Sequence, residues 1–115
     1  MILALTLVSS SVSIGDMLEM CNPVPNPTES RPPESPNVKL PEPVEGYAIL
    51  EYSVTEEGIV IDIDLIQSYA PPKVPGLAAS FALAAIKAVK NWRYEPVVAS
   101  CRIHQKRQFL VEAES

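Results

Sequence analysis

Residues 47–66 read YAILEYSVTEEGIVIDIDLI, and this stretch decides the fold because it contains a hairpin. The first eight residues are rich in β-branched and aromatic side chains, with Glu51 the only charge among them, which marks a strand. Thr55-Glu56-Glu57-Gly58 then supplies a short polar turn closed by glycine, the residue that tolerates a left-handed backbone, and such turns join antiparallel strands. In residues 59–66, Ile59, Ile61, Ile63 and Leu65 alternate with Val60, Asp62, Asp64 and Ile66. One face is wholly apolar and the other carries two carboxylates, so the spacing predicts a half-buried second strand.

Beyond the loop punctuated by Pro71-Pro72 and Pro75-Gly76, the period changes. Phe81, Ala84, Ala85, Ala88 and Trp92 recur at helical spacing while Lys87, Lys90 and Asn91 gather elsewhere on the wheel. An amphipathic helix is expected over residues 81–92, with Ser80 as N-cap and Glu95-Pro96 as the stop. Residues 102–112, RIHQKRQFLVE, read as the last strand, with Gln105 and Arg107 interrupting the parity of Ile103, Phe109 and Val111. A hairpin followed by a returning helix makes the last strand antiparallel to the first, giving the order second, first, last. The expected class is α+β: a small antiparallel three-stranded sheet with one helix packed on a face, in the sequence ββαβ. Tyr52, Phe81, Ala85, Trp92 and Tyr94 are the expected core.

Working outward, 115 residues allow one domain, and 47% apolar content is ordinary for a globular chain. Eight of the twelve prolines fall within residues 22–43, a stretch whose only sizeable apolar groups are Val24, Val38 and Leu40. It reads as an extended linker, reaching up to roughly 60–70 Å at about 3.1 Å per residue. The expected organisation is a hydrophobic, signal-like leader over residues 1–20, a proline-rich linker over 21–43 and a folded domain over 44–115. The leader reading rests on residues 1–8, MILALTLV, and the Ser-rich stretch after them, although no Lys or Arg precedes the apolar run. That run is too short to span a membrane, which takes about 18 residues. Cys21 and Cys101 carry no metal-site spacing; they read either as a disulfide, in an oxidising compartment, or as two unrelated thiols.

A net charge of −5 argues against nucleic-acid binding, which needs a basic surplus. Residues 87–107 nevertheless hold six bases against Glu95 alone. The search for chemistry is otherwise negative. His104 is the single histidine, with no nucleophile motif around it, and Asp62 and Asp64 read as solvent-facing acids on one strand rather than a catalytic pair. No phosphate loop is present. No enzyme activity, cofactor, metal or small-molecule substrate is expected.

The segments EGYAILEYSV (residues 45–54), EGIV (57–60), Ser68, and the run from Phe81 through Lys87-Ala88-Val89-Lys90-Asn91-Trp92-Arg93-Tyr94-Glu95-Pro96 together resemble the C-terminal domain of the energy transducer TonB. That family's pattern is a strand opening with EG, a turn ending G-x-V, a helix reading F-x-x-A-A-x-x-A-V-x-x-W-[KR]-[FY]-x-P, and a closing strand. The likeness spans roughly residues 33–112. It includes a weaker match of Pro33-Glu34-Ser35-Pro36 to a P-x-Y-P segment, where Ser35 stands in place of tyrosine. The resemblance implies a periplasmic module that couples inner-membrane energy to an outer-membrane transporter by capturing a segment of it at the edge of the sheet. The implied binding edge is the last strand, through Arg102, Ile103, His104, Gln105, Lys106, Arg107 and Phe109, with the basic residues favouring acidic or polar segments. The alternative is a self-associating accessory or structural domain, a homodimer through the same edge, with no transport role.

Overall fold

A computed structural model describes residues 18–113 of the chain. The expected leader lies, up to residue 17, outside the described residues. The elements in chain order are β1 (Pro27–Glu29), β2 (Val44–Val54), β3 (Val60–Tyr69), α1 (Leu77–Val89), β4 (Arg93–Tyr94) and β5 (Cys101–Val111). The fold is α+β. β3, β2 and β5 form an antiparallel sheet in that order, β1 and β4 form a small second sheet, and α1 packs on one face of the larger one.

β2 is the central strand, and its even-numbered residues explain the core. Val44, Ala48, Leu50, Tyr52 and Val54 are buried under α1, which returns Leu77, Phe81, Ala85 and Val89. Phe81 stacks on Phe109 of β5 at 4.6 Å between ring centroids. Gly46 belongs to the same face, and a side chain there would collide with the Phe81 ring and the Tyr69 carbonyl. Gly58 closes the hairpin at φ 86°, where a Cβ is unfavourable. Tyr94 donates its N–H to the Gly58 carbonyl at 2.9 Å, which ties the turn to β4.

β3 departs from the alternation expected of it. Ile59, Ile61 and Leu65 are 41–44% exposed: the hairpin sets Val60 opposite Val54 and Ile61 opposite Ser53, so Val60 takes the core parity, and Leu65, although opposite Leu50, lies on the outer strand, whose pairing two bulges interrupt. Each bulge inserts a residue and flips the following side chains to the other face. Asp62, at φ 51°, sits in one of them. The strand is thus a bent edge, with Val60 its fully buried apolar side chain.

The helix also begins and ends earlier than its apolar spacing suggests. Gly76, not Ser80, is the N-cap, and the Ser80 hydroxyl instead donates back to the Gly76 carbonyl at 3.2 Å from within the first turn. After Val89 the chain tightens into a turn, with Trp92 N–H on the Val89 carbonyl at 3.0 Å. Trp92 is therefore buried from outside the helix.

The proline-rich segment does not stand free of the domain over its first half. β1 pairs with β4, Glu95 N–H meets the Asn26 carbonyl at 3.0 Å, and the Trp92 indole donates to the Arg31 carbonyl at 2.8 Å. Cys21 and Cys101 are joined by a disulfide across 80 residues of sequence. Among the described residues, no helix is long and apolar enough to cross a membrane.

Candidate functional site

β5 is an edge strand, and the direction of its backbone groups follows from one contact. Arg102 donates its N–H to the Glu19 carbonyl at 2.9 Å, and its own carbonyl accepts from Cys21 N–H at 2.8 Å. This short strap, a parallel bridge at Met20, shows that Arg102 turns its backbone groups away from β2. Outward groups recur at every second residue, so they belong also to His104, Lys106, Gln108 and Leu110. Ile103, Gln105, Arg107 and Phe109 face theirs inward, opposite Tyr52, Leu50, Ala48 and Gly46 of β2. The expected edge therefore contracts. Four of its seven residues have their backbone groups in the sheet, Arg102 is already paired, and Gln108 and Leu110 join His104 and Lys106 on the outer ladder. Among the described residues, no strand pairs with that ladder beyond Arg102.

The strap stops for a reason written in its sequence. If the parallel pairing ran on past Cys21, the carbonyls of His104, Lys106 and Gln108 would take N–H donors from residues 23, 25 and 27. All three are proline, and proline has no N–H to give. The chain's own segment thus reaches the edge, makes one bridge and is barred from covering the rest.

Arg102 is not a solvated basic residue of the edge. It is 6% exposed, and its guanidinium donates to Ser53 Oγ (3.0 Å), the Asp62 carbonyl (2.8 Å) and Asp64 Oδ2 (2.7 Å). It links all three strands across the sheet face that α1 leaves open, where burial of a charge is tolerated because it is paired and hydrogen-bonded through both terminal nitrogens. Glu51 lies between this cluster and His104, whose Nδ1 is 3.2 Å from Glu51 Oε2. Lys106 sits over the Tyr47 ring at 4.5 Å, and Tyr47 stacks on Tyr69.

On the helix face of β5 the polar interruptions also find places. The Tyr52 and Tyr94 hydroxyls are 2.6 Å apart and buried. Burial pushes both phenols above their ordinary range, and their mutual contact raises Tyr94 further. The Arg107 guanidinium lies 5.3 Å from the centroid of the Trp92 ring, and its buried Nε has no acceptor among the described residues. Tyr52, Phe81, Ala85, Trp92 and Tyr94 are all 5% exposed or less. Among the described residues, no three His, Cys, Asp or Glu side chains are grouped to hold a metal ion.

The edge-strand position of residues 102–111 was visible in the topology, but the inward and outward split was not, since it depends on pairing. The strap was missed as well. Its available signal was the period-two spacing of Pro23, Pro25 and Pro27, which composition alone reads as linker. Compared with known proteins, the chain matches no family model and no curated protein significantly.

Proposed function

We propose that this chain is a protein-binding module that captures an extended segment of another protein by strand addition to β5. The reading rests on the outer ladder from His104 to Leu110, on which no strand pairs among the described residues, and on Pro23, Pro25 and Pro27, which lack the N–H donors that the chain's own neighbouring segment would need to cover it. Edge ladders of this kind are ordinarily protected, and an open one is the structural requirement for adding a peptide strand. The resemblance to TonB C-terminal domains supplies the biological setting: a periplasmic module, coupling inner-membrane energy to an outer-membrane transporter whose segment it binds. The Cys21–Cys101 disulfide favours such an oxidising compartment.

Selection of ten-residue peptides on the full chain, followed by hydrogen exchange of the complexes, tests the reading. Protection of the His104, Lys106 and Gln108 amides is expected. Binders that protect only α1 or β3 would refute it.

Self-association is the second reading, and a specific observation favours it. β3, the opposite edge, exposes Ile61, Leu65, Ile66 and Tyr69, each 43–51% accessible. Sedimentation across a concentration series separates the two, because association through β3 leaves the β5 ladder exchanging freely.

A further inference from the structure

The open ladder is flanked on both faces by positive charge held in place by aromatic rings, and the rest of the chain is acidic. Lys106 projects from the open sheet face and rests on Tyr47. Arg107, the next residue, projects from the helix face and rests against Trp92, with its Nε buried and, among the described residues, lacking an acceptor. In an added strand, the residues opposite Lys106 and Arg107 would put their side chains on those same two faces, with Cβ atoms about 4.5–5.5 Å from their partners. Consecutive residues of one extended segment therefore meet one cation each. Building on the strand-addition reading above, we infer that the partner segment carries two adjacent carboxylates, seated opposite Lys106 and Arg107.

Three features narrow the occupant to this chemistry. The ladder runs from His104 to Leu110, because Arg102 is taken by the strap, so the segment is about seven residues long. The chain's own proline segment is excluded by its missing donors. A second copy through β5 is disfavoured by charge: an antiparallel pairing centred on Lys106 or Arg107 sets that side chain against itself, and like charges directly opposite are destabilising. The net charge of −5 does not prevent the match, since exposed charges beyond about 8–10 Å are largely screened at physiological salt. A carboxylate beside Arg107 would also supply the acceptor its buried Nε lacks, and charge-assisted bonds of this kind are the strong ones.

The test uses three eight-residue peptides sharing one strand-forming frame of threonine and valine, with a central Glu-Glu, Ser-Ser or Lys-Lys pair. The chain has a single tryptophan, and Arg107 lies against it, so Trp92 emission reports binding on the full chain, with hydrogen exchange locating it. The Glu-Glu peptide should bind about tenfold or more tightly than Ser-Ser at low salt, a difference of about 1.4 kcal/mol or more, and lose that advantage as salt rises. Lys106→Glu, at an exposed position, should reduce the Glu-Glu preference and allow Lys-Lys to bind. Equal affinity for Glu-Glu and Ser-Ser, or a preference untouched by Lys106→Glu, overturns the acidic pair while leaving strand addition standing. If none of the three peptides protects the His104, Lys106 and Gln108 amides, strand addition itself fails. A dimer that protects the same amides and is displaced by no peptide makes a second copy the occupant and overturns the inference.

Discussion

The disulfide is the most informative single bond to remove. Cys21 and Cys101 close a loop of 80 residues. On chain-entropy grounds, a loop of that length restricts the unfolded chain enough to stabilise the fold by about 4.5 kcal/mol. Single domains are stable by about 5–15 kcal/mol, so the bond carries about 30% or more of the total. Urea unfolding of the double variant Cys21→Ser, Cys101→Ser, followed by Trp92 emission, measures the loss. With a urea dependence of about 1–3 kcal/mol per molar, the midpoint should fall by about 1.5–4.5 M. Cys21 is 8% exposed, so a serine there buries a hydroxyl. The wild-type chain unfolded in reductant is the control, and it should lose a similar amount. The strap should loosen as well, since two backbone bonds to Arg102 are then its remaining ladder contacts, and the Arg102 amide should exchange faster at low urea. A midpoint within about 0.5 M of wild type in both experiments would show that the unfolded chain is already restricted without the bond, and that the loop-closure argument is wrong.

Three further outcomes follow from the same geometry. Trp92→Ala should cost about 3–5 kcal/mol, the usual penalty for truncating a buried aromatic; Trp92→Phe, which keeps a smaller aromatic ring and loses the bond to the Arg31 carbonyl, should cost less than the alanine change but more than the about 0.5–1.5 kcal/mol of that bond alone, both read as urea midpoints. Lys106→Pro removes an outward amide and should abolish peptide binding in a folded protein, whereas Gln105→Pro removes an inward one opposite Leu50 and should unfold the sheet, as circular dichroism would report. Stability should fall with pH above about 10: the raised phenols of Tyr52 and Tyr94 keep their protons in the folded state while the unfolded chain releases them, so the contribution is complete below that pH and is lost as pH climbs toward the folded values. The double change to phenylalanine should flatten that limb of a pH-denaturation series.

Much of the architecture is legible in the hairpin and the helix because both express periods that one buried face imposes. Residues 47–54 alternate as a central strand must, and Phe81, Ala85 and Trp92 gather where α1 meets the sheet. The failures share a cause. Ile59, Ile61 and Leu65 read as a buried face, yet the hairpin register gives the core parity to Val60 opposite Val54, and Leu65 stays half exposed on an edge strand although it lies opposite Leu50; neither register nor edge position leaves a mark in hydropathy. Ser80 reads as a cap because caps are recognised by residue type, but the helix starts four residues earlier, after Gly76, whose left-handed backbone lies outside the helical range and which has no side chain to announce a cap. Arg102 reads as a solvated edge charge, since nothing local announces that Asp64 and Ser53 arrive from other strands to bury it.

The proline segment is where composition and pairing give different accounts of the same residues. By composition, residues 22–43 cannot bury enough apolar surface to order themselves, and a linker follows. By pairing, Cys21 is anchored beside Arg102, and whatever follows it lies next to an open ladder at high effective concentration. An ordinary sequence there would zip along β5 and close the edge within the molecule. Pro23, Pro25 and Pro27 fall on the donor positions of that hypothetical strand, and the chain turns away to meet β4 through Asn26 and β1. Replacing the three with valine restores the donors, so the expected result is an intramolecular strand: slowed exchange at the Lys106 and Gln108 amides, and competition with any added peptide. The local concentration makes even a weak strand sufficient. If the substituted chain leaves those amides exchanging as in wild type, the prolines are not what holds the edge open, and the bend toward β4 must do so by itself.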